Sequence, residues 1–232
     1  MKLIAHRGAS LERPENTLES LTHGARLGAD AVECDVRATL DEQYVIFHDP
    51  SLERLCNIPA WVNGLTLSQM AEALAKAGRG LLTLADLFAG YRESTPVLLH
   101  IKLDKPEPAL LERLASAPLP LILGVQTVEV LEAVRAFQPP ERILAFVPSP
   151  EAIPAFARAG AGILRLWENW LDAVTPDQAR ATGAREVWIM SGDAQGSMDG
   201  SAESLNRFAR LGADGALLND IVLGLAWRGA RS

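Results

Sequence analysis

The sequence predicts an α/β fold, and more specifically a closed (β/α)8 barrel. Short apolar runs alternate with amphipathic segments almost from end to end of the 232 residues, and such alternation implies βαβ units around a parallel sheet. Eight runs have strand length, and a typical barrel has roughly 250 residues. An open doubly wound sheet is the alternative, although no GxGxxG motif follows the first strand. No linker divides the chain, so we expect one domain over residues 1–232.

The predicted barrel strands are short runs rich in branched aliphatic residues. In chain order they are Lys2–His6, Ala31–Val36, Pro96–Leu103, Leu119–Val125, Arg142–Val147, Gly162–Leu166, Glu186–Met190 and Gly215–Leu218. Helical periodicity between them predicts helices at Thr17–Leu27, Val128–Phe137, Ser149–Ala159, Pro176–Thr182 and Ala202–Leu211.

The composition limits the function classes. The formal net charge is −7 and no basic stripe is present, which argues against a nucleic-acid partner. No apolar run has the length of a membrane span, and the first residues lack a signal-peptide layout, so we expect no integral membrane segment and a cytoplasmic location. The two cysteines form neither a metal-type pair nor a disulfide framework. The oligomeric state stays open.

One strand-like run, Tyr44–Asp49, does not fit the alternation. It follows the second predicted strand after about seven residues, and a parallel crossover needs about a dozen or more. We therefore expect an antiparallel hairpin whose turn is the four residues 40–43. Pairing Thr39 with Tyr44 sets the register and places Asp35 opposite His48.

This register predicts a cluster on one face of the hairpin. Directly opposed residues share a face, and Glu33 shares it with Asp35 because side chains alternate with a period of two. Glu33, Asp35 and His48 should therefore converge. Cys34 should point the other way, into packing.

Ionisable residues collect near the ends of consecutive predicted strands. In barrel enzymes the chemistry gathers at the carboxyl ends of the strands, and six such side chains would be improbable there as mere surface. They are His6, Glu33, Asp35, His48, His100 and Lys102.

These residue types point to one reaction. The carboxylates of Glu33 and Asp35 are hard oxygen ligands suited to Mg²⁺, Ca²⁺ or Mn²⁺. Arg7 and Lys102 supply positive donors for a phosphate, and two histidines can act as acid and base near neutral pH. A metal, a phosphate clamp and an imidazole pair together indicate phosphodiester cleavage.

The motifs that carry these residues resemble a known family. "HRGASLERPENTLES" and "GADAVECDVRATLDEQYVIFHDPSLERL", followed by "LLTLADLF", "LLHIKLD", "GVQTVEVL" and "LGADGALLND", are similar in order and spacing to glycerophosphodiester phosphodiesterases. The resemblance covers nearly the whole chain and is densest in residues 3–55. It implies a barrel with an insertion after the second strand, which fits a hairpin and small insertion at about residues 37–81.

The resemblance also implies roles for individual residues. His6 and His48 match the general acid and base, Glu33 and Asp35 match metal ligands, and Arg7 and Lys102 match phosphate contacts. It implies a small glycerophosphodiester substrate and a two-step reaction. A glycerol hydroxyl attacks phosphorus, the alcohol leaves, and water then opens the cyclic phosphate.

The chain departs from the family pattern at two positions. His100 stands where the family usually carries a glutamate metal ligand. If His100 binds the metal, Mn²⁺, Co²⁺ or Zn²⁺ should be favoured over Mg²⁺ or Ca²⁺, because hard ions prefer oxygen ligands. Met190 stands near a position that is often aromatic, and it either lines the substrate site or packs in the core.

Two further functions therefore remain open. The first is a lysophospholipase D-like phosphodiesterase. An exposed apolar collar in the insertion would favour it, and "NIPAW" at residues 57–61 is the candidate for that collar. The second is a phosphate-binding barrel without catalysis.

The segment "PENTLES" is predicted to have a structural role at the start of a helix. Asn16 is predicted to cap the following helix, with Glu19 completing a capping box, and Glu15 could help to orient the site. Trp167 and Trp170 either form an aromatic surface at a strand end or pack against a helix.

Overall fold

The computed structural model describes residues 1–192 and 198–231 and contains a closed ring of eight parallel strands. β1 pairs with β10 on one side and with β2 on the other, which closes the ring. The predicted barrel is confirmed and the open-sheet alternative is wrong. The ring strands are β1 (Lys2–Ala5), β2 (Ala31–Ala38), β5 (Val97–Ile101), β6 (Leu121–Val125), β7 (Ile143–Phe146), β8 (Ile163–Trp167), β9 (Glu186–Met190) and β10 (Gly215–Leu218).

Helices follow the ring strands and cover the outside of the ring, while the second and third helices belong to an insertion. They are α1 (Leu18–Leu27), α2 (Glu53–Cys56), α3 (Leu67–Lys76), α4 (Leu84–Gly90), α5 (Pro108–Ala115), α6 (Val128–Val134), α7 (Ile153–Ala159), α8 (Pro176–Arg180), α9 (Ala202–Arg210) and α10 (Ile221–Gly229). Threonine capping boxes begin α1, α3, α4 and α8, which satisfies backbone N–H groups that a helix start leaves without partners. None of the described helices is long and apolar enough to cross a membrane.

Two short strands, β3 (Tyr44–Ile46) and β4 (Leu82–Thr83), lie outside the ring. The predicted antiparallel hairpin is confirmed, but its register is wrong by one residue. Ala38 pairs with Tyr44 and Val36 with Ile46, so Phe47 rather than His48 bonds to Asp35, through its backbone N–H. The cause is the turn. Glu42 adopts φ 56°, and the loop then consists of the three residues 40–42 instead of the four residues 40–43.

The insertion between β3 and β4 has a small hydrophobic core of its own. It contains α2 and α3, and its buried residues are Val45, Phe47, Leu52, Val62, Met70 and Leu74. Ile58 of "NIPAW" packs against this core, whereas Trp61 is 62% exposed.

The side chains of the ring strands alternate between two apolar layers. Val97, Leu99 and Ile101 of β5 belong to the layer between barrel and helices, while Leu98 lies in the barrel interior. Cys34 is in the outer layer, as predicted. Asp35 and His100 are therefore inward positions in the carboxyl-terminal halves of β2 and β5. That the chain forms one domain stays a prediction.

Candidate active site

Two carboxylates sit inside the barrel on β2. Glu33 and Asp35 are both completely buried. The Glu33 Oε2 atom accepts a hydrogen bond of 2.9 Å from the backbone N–H of Arg7, which follows β1. The Glu33 Oε1 atom is buried and has no hydrogen-bond partner among the described residues.

Asn16 holds Asp35 with two hydrogen bonds. Its amide Nδ2 donates to Asp35 Oδ2 at 3.1 Å, and its Oδ1 accepts from the backbone N–H of Asp35 at 3.1 Å. The predicted capping role of Asn16 is wrong, because Thr17 caps α1 together with Ser20. Asn16 is buried and left-handed, with φ 57°, and asparagine is one of the few residues that tolerate this conformation.

The neighbouring strand β5 brings a histidine and a lysine to the same carboxylate. His100 is paired with Asp35 in the sheet register, and its Nδ1 atom lies 3.2 Å from Asp35 Oδ1. The Lys102 Nζ atom lies 3.2 Å from the same oxygen. The His100 ring stacks on Phe146 with centroids 3.6 Å apart, and Gly124 makes room for it, since a Cβ there would come within 2.5 Å of that Phe146 ring.

These three side chains meet the requirements of a metal site. One ligand atom from each of Glu33, Asp35 and His100 lies within 4.8 Å of the others. Glu33 Oε1 and His100 Nε2 are buried atoms without a hydrogen-bond partner in the described part of the chain, and Asp35 Oδ1 has its 3.2 Å contacts to His100 and Lys102. Buried polar atoms are normally satisfied, so this set of donors fits a divalent cation.

The protonation states of the cluster follow from its burial. Burial, and after it the charge of Asp35, raises the pKa of Glu33 well above its usual range. Burial also favours a raised pKa for Asp35, but the contacts with His100 and Lys102 outweigh it and hold that pKa well below its usual value. Burial lowers the pKa of His100 to about 3, so its imidazole is neutral at pH 7 and has a lone pair for a metal.

His6 enters the same space at the end of β1. Its Nδ1 atom lies 2.6 Å from the amide oxygen of Asn219, and the Asn219 amide nitrogen donates to Asp199 at 3.1 Å. That second bond fixes the amide orientation, so Nδ1 carries the proton and Nε2 keeps its lone pair. Burial lowers the pKa of His6 to about 3, and Nε2 lies 3.8 Å from Glu33 Oε2.

His48 faces His6 although the predicted register was wrong. Regular pairing ends at Ile46, and the chain that follows brings His48 to a position where the two imidazole centroids are 6.5 Å apart and nearly perpendicular. The His48 Nδ1 atom lies 2.7 Å from Asp49 Oδ1. A carboxylate partner fixes the proton on Nδ1 and leaves Nε2 free to exchange protons.

Ion pairs connect this histidine to Arg7. Asp49 Oδ2 accepts from Arg54 at 2.6 Å, Arg54 also pairs with Glu15, and Glu15 pairs with Arg7 at 3.2 Å. Glu15 therefore joins Arg7 to Arg54, and its role in orienting the site stays a prediction. Arg7 itself is left-handed, with φ 59°.

These groups enclose a small cavity of about 80 Å³. The sequence predicted five of its lining residues as site residues and offered Met190 and Trp167 as alternatives. It gave no role to Arg165, whose signal is an arginine at an inward position of the strand "ILRLW". The lining residues are His6, Arg7, His48, His100, Lys102, Phe146, Arg165, Trp167, Met190 and Met198. Met190 both lines the cavity and packs in the barrel interior, so the two interpretations of this residue are compatible.

A larger cavity of about 460 Å³ lies beside the small one and shares His48 with it. It runs between the start of α1 and the insertion. Asn16, Phe47, Leu55, Leu74 and Arg79 are among its lining residues, so its wall is partly apolar and partly polar.

Ionisable side chains at the carboxyl ends of β1, β2 and β5 are typical of the active site of a barrel enzyme, and the comparisons identify the family. The model of the glycerophosphoryl diester phosphodiesterase family matches residues 6–139. The chain belongs to this family.

Relatives agree with this assignment. A glycerophosphodiester phosphodiesterase of Caldanaerobacter subterraneus is 38% identical over 93 residues, which is 40% of this chain and 36% of that protein. A probable glycerophosphodiester phosphodiesterase of Mycobacterium tuberculosis is 46% identical over 70 residues, which is 30% of this chain and 26% of that protein. The matched regions thus span well under half of these two relatives.

Solved structures show the fold over the full length. The crystal structure of a glycerophosphodiester phosphodiesterase from Thermotoga maritima matches with a TM-score of 0.77 and 18% identity, covering 97% of both chains.

Proposed function

We propose that the protein hydrolyses glycerophosphodiesters to glycerol 3-phosphate and an alcohol. The observation that carries this proposal is the pair of imidazoles, His6 and His48, facing each other at 6.5 Å across a cavity that also presents Arg7 and Lys102. A structurally similar phosphodiesterase of Oleispira antarctica, with a TM-score of 0.73, 20% identity and coverage of 99% of this chain and 97% of that one, was solved with the product sn-glycerol-3-phosphate.

The proposal includes a divalent metal ion held by Glu33, Asp35 and His100. When bound, such an ion would polarise the phosphoryl group and lower the pKa of an attacking hydroxyl. The imidazole donor favours Mn²⁺, Co²⁺ or Zn²⁺ over Mg²⁺ or Ca²⁺.

The two histidines would move the protons. In the first step, one imidazole Nε2 takes the proton of a glycerol hydroxyl as its oxygen bonds to phosphorus. The other imidazole, which enters this step as an imidazolium protonated on both nitrogens, donates its Nε2 proton to the alcohol oxygen as the phosphorus–oxygen bond breaks. In the second step, water adds to the cyclic phosphate and the two histidines exchange roles. Asp49 and Asn219 would hold the rings in the tautomers that these transfers need.

Arg7 and Lys102 would bind the phosphate oxygens. The backbone N–H of Arg7 donates to Glu33, so its guanidinium, which also pairs with Glu15, would take this role. The larger cavity beside His48 has room for the leaving alcohol, because about 460 Å³ is within the usual range of small-molecule sites.

The two other functions predicted as alternatives are not favoured. The insertion uses most of its apolar residues in its own core and presents only Trp61 of "NIPAW" as a strongly exposed apolar group, which is a weak basis for a lipid surface. Loss of catalysis is not favoured either, since His100 offers a neutral nitrogen where a ligand is needed. The cytoplasmic location stays a prediction.

The direct test is release of glycerol 3-phosphate from several glycerophosphodiesters, with and without chelator, followed by a panel of divalent metals. We expect turnover that chelator abolishes and that Mn²⁺, Co²⁺ or Zn²⁺ restores best. No release with any metal, from any headgroup, would contradict the proposed function.

A further inference from the structure

An arginine that the proposed chemistry does not use lies in the wall of the small cavity. Arg165 is on β8 and is only 6% exposed. Its guanidinium lies over the faces of three aromatic rings, 4.3 Å from the centroid of Trp167, 5.2 Å from that of Phe146 and 6.0 Å from that of Trp170. These contacts support the flat sides of the guanidinium and leave its N–H groups, which lie in its plane, for other partners.

The charge of Arg165 has no partner in the described part of the chain. Its Nε and Nη1 atoms are buried without a hydrogen bond, and no carboxylate among the described residues forms an ion pair with it. The other two cations of the cavity are paired, Arg7 with Glu15 at 3.2 Å and Lys102 with Asp35 at 3.2 Å.

A buried, unpaired guanidinium is costly, because desolvation of the ion is not compensated. Burial lowers the pKa of Arg165 to about 9, which still leaves it charged at neutral pH. Because only the three aromatic rings offset this cost among the described residues, removal of the charge should leave the stability of the ligand-free molecule unchanged or raise it.

The size of the cavity decides which anion can relieve this cost. Its volume of about 80 Å³ admits a group of only a few heavy atoms, since one water needs at least roughly 10–15 Å³ by such a measure. A phosphate that enters it is therefore close to every wall, including both Lys102 and Arg165.

We propose that Arg165 binds a phosphoryl oxygen of the substrate directly, as a third cation of the cavity beside Arg7 and Lys102. This inference deepens the proposed function and rests on it only for the identity of the phosphate ester. A phosphodiester carries one negative charge, whereas the phosphate monoester product carries about −1.5 to −2 at pH 7. Arg165 therefore contributes more as the reaction adds charge to the phosphoryl group, and it binds glycerol 3-phosphate more strongly than the diester.

The first test is binding, measured by calorimetry with inorganic phosphate and glycerol 3-phosphate. Arg165→Gln and Arg165→Met remove the charge, and Arg142→Gln, an exposed residue before β7, is the control with the same charge change. We expect both Arg165 variants to bind each probe about 10- to 100-fold more weakly, as expected for a charge-assisted hydrogen bond, and Arg142→Gln to bind as the wild type does. Unchanged affinity in both Arg165 variants would overturn the proposal, whether or not the protein turns over any diester.

The second test separates recognition from a structural role. Arg165→Met should unfold at the same or a higher temperature than the wild type without ligand, and it should lose most of the stabilisation that added phosphate gives. A lower unfolding temperature with full stabilisation by phosphate would overturn the proposal.

Steady-state kinetics identify which anion Arg165 contacts. The phosphoryl group is common to all substrates, so Arg165→Gln should lower kcat/KM about equally for diesters with neutral, cationic and anionic alcohols. A loss confined to anionic alcohols would place Arg165 on the leaving group and contradict the assignment.

Discussion

Replacement of Asn16 by alanine tests whether the two hydrogen bonds to Asp35 hold the candidate site together. The bond from Nδ2 to the carboxylate is charge-assisted, and its loss costs about 1.5–3 kcal/mol. The buried Asp35 N–H loses its partner as well, at about 1–3 kcal/mol. Alanine in a left-handed conformation adds about 1 kcal/mol. We therefore expect Asn16→Ala to lower the free energy of unfolding by about 3.5–7 kcal/mol.

Asn57→Ala isolates the backbone contribution. Asn57 ends α2 with φ 56°, nearly the same as Asn16, but it is exposed and has no contact with the site. Its replacement should cost only about 1 kcal/mol. Urea unfolding of both variants in the presence of chelator gives the difference. A difference below about 1 kcal/mol would show that Asn16 does not stabilise Asp35 and would refute the reasoning.

Three further predictions concern glycine geometry, acid stability and metal preference. Gly8→Ala should be far more destabilising in urea unfolding than Gly78→Ala, because both glycines have positive φ but only the Cβ at Gly8 would come within 2.5 Å of Ser20; similar costs would contradict the predicted clash. Burial lowers the pKa of His100 to about 3 in the folded protein, whereas an unfolded histidine has a pKa of about 6.5. Between these two pH values the unfolded chain binds a proton that the folded protein does not, so the free energy of unfolding falls as pH falls from about 6.5 to about 3. The metal-free His100→Gln variant should then lose about 2 kcal/mol less than the wild type between pH 7 and pH 5, measured by urea unfolding, and equal losses would contradict this. Activity with a metal panel should show His100→Glu shifting preference toward Mg²⁺ or Ca²⁺, and an unchanged ranking would remove His100 from the coordination shell.

The sequence predicted the barrel because the pattern that indicates this fold is local and repeats along the chain. Alternating apolar strands and amphipathic helices recur through the chain, and the polar residues at strand ends mark the active edge. His6, Glu33, Asp35 and His100 all take inward positions in the barrel, because the direction of a strand side chain depends only on its odd or even place in the strand, which the sequence records.

The hairpin register, the role of Asn16 and the burial of Arg165 depend on backbone conformations and contacts that residue types alone do not predict. The hairpin register follows from the left-handed conformation of Glu42. A glycine at this position would have indicated that conformation, but a glutamate does not. Asn16 looked like a helix cap because asparagine favours that position, but the helix begins one residue later and its amide reaches across to β2. Arg165 lies in an apolar strand, and only the three-dimensional structure shows that it has no partner among the described residues.

The central claim is that His6 and His48 carry out acid–base chemistry on a glycerophosphodiester. The most direct measurement is kcat for glycerol 3-phosphate release by His6→Gln and His48→Gln, with His23→Gln, a residue of α1 outside both cavities, as the matched control. Loss of general acid–base catalysis should lower kcat by about 10²–10⁴-fold in each of the first two variants, while the control keeps wild-type turnover and all three keep the circular dichroism spectrum of the fold. Near-wild-type turnover by either His6→Gln or His48→Gln would contradict the account.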